Sequence, residues 1–144
     1  MKISNYFFLF ILPGTSLIIN GQSNNSAKKP QAKQKGVHMT FDHEKISLGK
    51  VKKGEIRKFE YVFTNTGTDI IEIDIASGCD CTTLDYPTNK ILPGKKAIVK
   101  VSFDSGKKEG NETSTDVDVY LKNINPKTGQ RILKILNFTY EIEH

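Results

Sequence analysis

Residues 55–67, EIRKFEYVFTNTG, decide the fold. Phe59, Tyr61 and Phe63 share one parity, Lys58, Glu60 and Thr64 the other, and Val62 alone interrupts the polar set. Side chains along a strand alternate between faces, so this period of two describes a strand with one side in a core and one in water. Asn65, Thr66 and Gly67 then supply turn chemistry.

The same grammar recurs on both sides. MTFDHEKISLG (39–49) predicts a first strand ending in a turn at Gly49. TDIIEIDIAS (68–77) places Ile71, Ile73 and Ile75 on one face, against Glu72 and Asp74. KKAIVKVSFDS (95–105) sets Ala97, Val99, Val101 and Phe103 opposite Lys100 and Ser102. TSTDVDVYLKN (113–123) presents Val117, Val119 and Leu121, with Asp116 and Asp118 outward. QRILKILNFTYEIE (130–143) puts Ile132, Leu136, Phe138, Tyr140 and Ile142 on one parity, and its uncapped end marks it as an expected edge strand. No window from Met39 onward has a helical period. About seven antiparallel strands separated by Gly, Asn and Pro turns predict an all-β, immunoglobulin-like β-sandwich over residues 39–144. A true immunoglobulin domain separates its two cysteines widely and buries a Trp between them. Here the cysteines are two residues apart and Trp is absent, so the likeness is one of architecture.

Ahead of the domain, residues 1–21 read as a signal peptide: Lys2, then YFFLFIL, then a break at Pro13-Gly14 and a small residue at Gly21. The apolar run is too short and broken for a stable span, so no membrane insertion is expected after cleavage. Residues 22–38, QSNNSAKKPQAKQKGVH, have no apolar period and read as a flexible basic linker. The formal net charge of +5 comes from these segments, because the 16 acidic residues all lie beyond Phe41 and are matched there by equal basic charge. A neutral domain offers no basic stripe for nucleic acid. The expected location is periplasmic or secreted.

Enzyme signatures are missing. GKVKKGEI (49–56) has phosphate-loop glycine spacing, but Glu55 and Ile56 stand where Lys and Ser or Thr are required. Neither Gly-x-Ser-x-Gly nor His-Glu-x-x-His occurs. Asp116 and Asp118 belong to a solvated strand face. The sequons at Asn24, Asn111 and Asn137 are read as chance in a bacterial chain. No catalytic residue and no cofactor is expected.

Residues 41 to about 105 resemble the bacterial family known as domain of unknown function 1573. Its pattern is carried by Gly49, Val51, Gly54, Glu55, Asn65, Gly67, Cys79, Cys81, Thr82, Pro93 and Gly94. The resemblance implies export in a gram-negative envelope and a Hydin-type immunoglobulin-like sandwich; it implies no activity. Two departures are Asp80, in place of the central glycine of Cys-Gly-Cys-Thr, and Ser47-Leu48, in place of Asp-Phe.

Cys79 and Cys81 are the candidate site. In an oxidising compartment a small-ring disulfide is expected if the α-carbons come within about 7 Å. A soft-metal clip for copper(I) or zinc and a thiol–disulfide redox pair remain the alternatives. Zinc needs about four ligands, and the further candidates are His38, His43, His144 and scattered carboxylates. Asp80 opposes reactivity, since a carboxylate beside a thiol disfavours the thiolate. The expected function is therefore an exported, non-enzymatic binding or structural module with an unknown envelope partner. Thiol-redox or metal handling is the alternative.

Overall fold

The computed structural model describes residues 32–109 and 111–144. The signal peptide and residues 22–31 of the linker lie outside the described residues. Eight strands follow in order: β1 (Met39–Phe41), β2 (Lys45–Lys52), β3 (Ile56–Asn65), β4 (Ile73–Ser77), β5 (Thr82–Asp85), β6 (Lys96–Asp104), β7 (Ser114–Ile124) and β8 (Arg131–Glu143). They form two four-stranded sheets, β1-β3-β6-β5 and β2-β8-β7-β4. Among the described residues the one helical element is a single 3₁₀ turn, Ser105–Lys107. The β-sandwich read from the sequence is the fold.

The alternation of 55–67 and its counterparts builds the core. Tyr61 and Phe63 of β3, Val99, Val101 and Phe103 of β6, Val117, Val119 and Leu121 of β7, and Leu136 and Phe138 of β8 are all buried. Aromatic rings join the layers edge to face: Phe59 and Phe103 of one sheet lie 5.0 and 5.1 Å from Phe138 of the other. Each buried ring removes enough apolar surface from water to stabilise the fold by about 1.5–3 kcal/mol. Favourable ring pairs add about 0.5–1.5 kcal/mol.

Four expectations are corrected. Gly49 is not a turn; the run 39–49 splits between the sheets, with β1 pairing β3 and β2 pairing β8. Gly49 lies within β2 at φ +64°, where one extra residue is accommodated between Ser47, opposite Thr139, and Lys50, opposite Glu141. This bulge turns Val51 into the core. Ile75 does not share a face with Ile71 and Ile73. A second irregularity between Ile73 and Ile75 sends Ala76 inward and leaves Ile75 outside. The strands are not all antiparallel, because β2 runs parallel to β8. For the same reason the uncapped end of β8 is not an edge, since residues 137–143 lie between β2 and β7.

The sandwich also begins earlier than Met39. Gln34 bridges Gly67, and the carbonyl of Gly36 accepts hydrogen bonds from the amides of Thr68 and Asp69. Val37 packs on the core. Residues 34–38 of the expected linker therefore belong to the fold.

Candidate functional site

The cysteines occupy the passage between the two sheets. β4 lies at the edge of one sheet and β5 at the edge of the other, and Gly78–Cys81 carries the chain across. The α-carbons of Cys79 and Cys81 are 5.0 Å apart with the sulfurs facing each other, a separation a disulfide can bridge. Cys81 is buried, whereas Cys79 is half-buried against the core. The turn has its own fastening. The Cys79 carbonyl accepts from both the amide and the hydroxyl of Thr82, each at 2.9 Å. The Cys81 carbonyl accepts from the Asp104 amide at 2.8 Å, tying the turn to the end of β6. A Cβ on Gly78 would come 2.5 Å from the Thr82 hydroxyl, so a larger residue there would displace that hydroxyl from the Cys79 carbonyl.

A shallow polar concavity of about 490 Å³ opens over this turn, lined by Ser77, Cys79, Asp80 and Thr82 among others. Beside it, an open groove of about 440 Å³ runs over Lys58, Phe59, Thr83 and Lys100. No group of three or more His, Cys, Asp or Glu side chains converges to hold a metal among the described residues. Two sulfurs alone do not make a closed zinc site. The histidines do not supplement them: His38 lies against the carbonyl of Lys35, and His43 and His144 are exposed at strand ends. Asp116 accepts from the side chain of Asn137 at 2.7 Å on an outer face.

The remaining motif residues make architecture. Glu55 closes a turn by donating its amide to the Lys52 carbonyl, with Gly54 at φ +85°. Ser105 is fully buried, and its hydroxyl lies 2.7 Å from the Lys52 carbonyl and 2.9 Å from that of Glu55. Pro93 and Gly94 form the corresponding turn after Leu92, where proline fixes the first central residue and glycine takes positive φ at the second. Asn65 is fully buried and joins three segments. Its amide group donates to the carbonyls of Asp69 and Ile91 at 2.8 and 2.9 Å, and its side-chain oxygen accepts from the Gly67 amide at 3.1 Å. A Cβ on Gly67 would come 2.1 Å from the Gly36 carbonyl oxygen, so only glycine permits residues 34–38 to dock.

The most displaced ionisable group is the Tyr61 phenol, pushed well up by burial and, to a smaller degree, by the Asp116 carboxylate. Lys50 is raised by its hydrogen bond to Glu143, a surface pair of β2 and β8.

One feature was not read from the sequence. The outer face of β2-β8-β7-β4 carries Ile75, Tyr120 and Leu133 side by side in register, and Ile135 follows Leu133 along β8. Ile75 and Ile135 are 46% and 56% exposed. The signal was the run Ile132-Leu133-Lys134-Ile135-Leu136, apolar on both parities.

The fold and this site define an all-β domain, a sandwich of two four-stranded sheets with a cysteine turn at the crossing between them. The chain belongs to the family described as protein of unknown function (DUF1573), whose profile matches residues 39–136. Several solved structures share the fold. The human CEP192 PapD-like domain 7 is 11% identical, with a TM-score of 0.56 and coverage of 100% of this chain and 97% of that one. A Porphyromonas gingivalis protein of unknown function is 19% identical, with a TM-score of 0.55; the match covers 81% of this chain and 51% of that one. The VesB protease of Vibrio cholerae is 11% identical, with a TM-score of 0.56, and the match covers 72% of this chain but only 31% of the protease. The chain thus spans about half or less of these two bacterial proteins. No curated protein matches in sequence.

Proposed function

We propose that the chain acts as an exported, non-enzymatic binding module of a bacterial envelope. The observation that carries this reading is the row Ile75, Tyr120 and Leu133 on an outer sheet face, extended by Ile135. A two-sheet protein already buries its apolar set between the sheets, and an additional contiguous apolar group on the outside fits a contact surface. The motif residues, in contrast, are committed to turns, a bulge and a buried asparagine clamp. In this reading Cys79 and Cys81 are a structural disulfide that holds the crossing between sheets, formed after export.

A second reading, thiol–disulfide exchange, is favoured by one observation: Cys79 is partly open to solvent while Cys81 is buried. An incoming thiolate would attack the Cys79 sulfur and expel Cys81 as a thiolate into an apolar setting, which raises thiol pKa and makes it a poor leaving group. That chemistry weighs towards the structural role.

The test is a photo-crosslinking side chain at Tyr120, introduced in the native bacterium. Discrete adducts that disappear with Ile135→Asp are expected. Absence of any adduct, together with loss of a thiol-exchange phenotype in a Cys79→Ser, Cys81→Ser double variant, would replace the module reading with the redox one.

A further inference from the structure

β8 is interior along only part of its length. Its pairing with β2 starts at Asn137, opposite Lys45, whereas its pairing with β7 extends back through Leu133, opposite Tyr120, to Arg131, opposite Ile124. Residues 131–136 therefore have a neighbour on one side only among the described residues. Two hydrogen bonds fix which backbone groups face the open side. The Asn137 amide donates to the Glu44 carbonyl at the head of β2, and the Tyr140 amide donates to Thr113 beside β7. Odd-numbered residues of β8 thus direct their N–H and C=O groups towards the line of β2. At Leu133 and Ile135 these four groups point at an unfilled strand position, in line with β2 and ending where β2 begins.

The side chains around that position are unusual for an edge. Leu133 and Ile135 are exposed on the outer face, next to Tyr120 and Ile75. On the inner parity, between Ile132 and Leu136, stands Lys134, half-buried and opposite Val119. None of the ion pairs among the described residues uses Lys134. An inward-pointing lysine is a device that blunts a sheet edge. It acts most directly against a second copy: a symmetric antiparallel pairing of two such edges brings the two Lys134 side chains opposite or diagonal to each other, and like charges there are destabilising.

We infer that the open edge of β8, residues 131–136, receives an extended peptide segment carrying an acidic side chain opposite Lys134 and apolar side chains beside Leu133 and Ile135. The backbone groups of Leu133 and Ile135 supply affinity and register, as in strand addition generally. The Lys134 ammonium supplies discrimination: an acidic side chain completes it, and a basic or identical edge is repelled. This rests on the module reading and deepens it, naming the occupant of the surface that reading identifies.

The probe is a capped heptapeptide alternating valine and threonine with a central glutamate, compared with one carrying central lysine. Binding to the full chain is followed by amide hydrogen exchange. The glutamate peptide should slow exchange selectively at Leu133 and Ile135 and bind about fivefold more tightly than the lysine peptide, the factor that a cross-strand charge pair of about 1 kcal/mol gives. Lys134→Glu should reverse the preference, and Lys134→Gln, the milder change, should abolish it. Equal protection by both peptides, protection at β4 instead of β8, or concentration-dependent protection without peptide would each overturn the inference, the last in favour of a second copy. If the peptides fail while Tyr120 adducts persist, the edge assignment falls and the module reading stands. Loss of both removes the two together.

Discussion

Replacing Asn65 with alanine tests whether the Asn-x-Gly motif is a structural clamp. The side chain is fully buried and makes three hydrogen bonds, to the Asp69 and Ile91 carbonyls and from the Gly67 amide. Asp69 is exposed, so its carbonyl can recover a bond from water. The buried Ile91 carbonyl keeps its bond from the Ile71 amide and loses one of two, whereas Asn65→Ala leaves the buried Gly67 amide without a partner among the described residues. A buried group left unpaired costs about 1–3 kcal/mol and a lost hydrogen bond about 0.5–1.5 kcal/mol, so the change costs about 1.5–4.5 kcal/mol, centred near 3. That is a large part of the roughly 5–15 kcal/mol that stabilises a typical domain. With a urea dependence of about 2 kcal/mol per molar, the unfolding midpoint should fall by roughly 1.5 M. Asn65→Asp should be no better: it keeps the acceptor for Gly67 but directs an oxygen at two carbonyls. The assay is equilibrium urea unfolding followed by tyrosine fluorescence, with amide exchange at Gly67 as the local readout. A loss under about 1 kcal/mol, with Gly67 exchange unchanged, would refute the reasoning.

Gly67→Ala should expel residues 34–38, because the new Cβ meets a backbone oxygen, and should speed limited proteolysis at Lys35 while β3 and β6 keep their exchange protection. The Tyr61 hydroxyl is buried without a hydrogen-bond partner among the described residues, so Tyr61→Phe should change stability by less than about 1 kcal/mol near neutral pH. Its folded pKa is raised, so the folded state retains a proton that the unfolded state gives up. Stability is therefore full below about pH 10 and declines as pH rises above that value, and Tyr61→Phe should flatten the decline in urea midpoints. Reduction should add two hydrogens to the intact mass if Cys79 and Cys81 are bridged. Because the closed loop is so short, Cys79→Ala with Cys81→Ala should cost no more than about 3 kcal/mol by urea unfolding.

Strand alternation was legible because it is local: the parity of Phe59, Tyr61 and Phe63 places them without knowledge of any neighbour. What escaped depended on partners distant in sequence. Gly49 resembles a turn until β8 is known to run alongside it, when the same positive φ becomes a bulge that aims Val51. Ile75 continues the period of Ile71 and Ile73, and only the register with β7 reveals the shift that turns it outward. The last strand looked like an edge since nothing in its own residues announces a parallel neighbour from the other end of the domain. The cysteine turn was recognisable as a unit from Cys79, Cys81 and Thr82, but its position at the crossing between sheets is a property of topology. Asn65 and Gly67 read as turn residues; the contacts with Ile91 and Gly36 that make them indispensable lie far away along the chain.

The parallel pairing of β2 with β8 has a mechanical consequence. Tension applied between the residues that enter the domain before β1 and His144 pulls β2 from its first residue and β8 from its last, in opposite directions. The backbone bonds between them are then strained in shear, all together, whereas an antiparallel terminal hairpin would open one bond at a time. A domain wired in this way extends little under tension along these two strands until the whole pair ruptures.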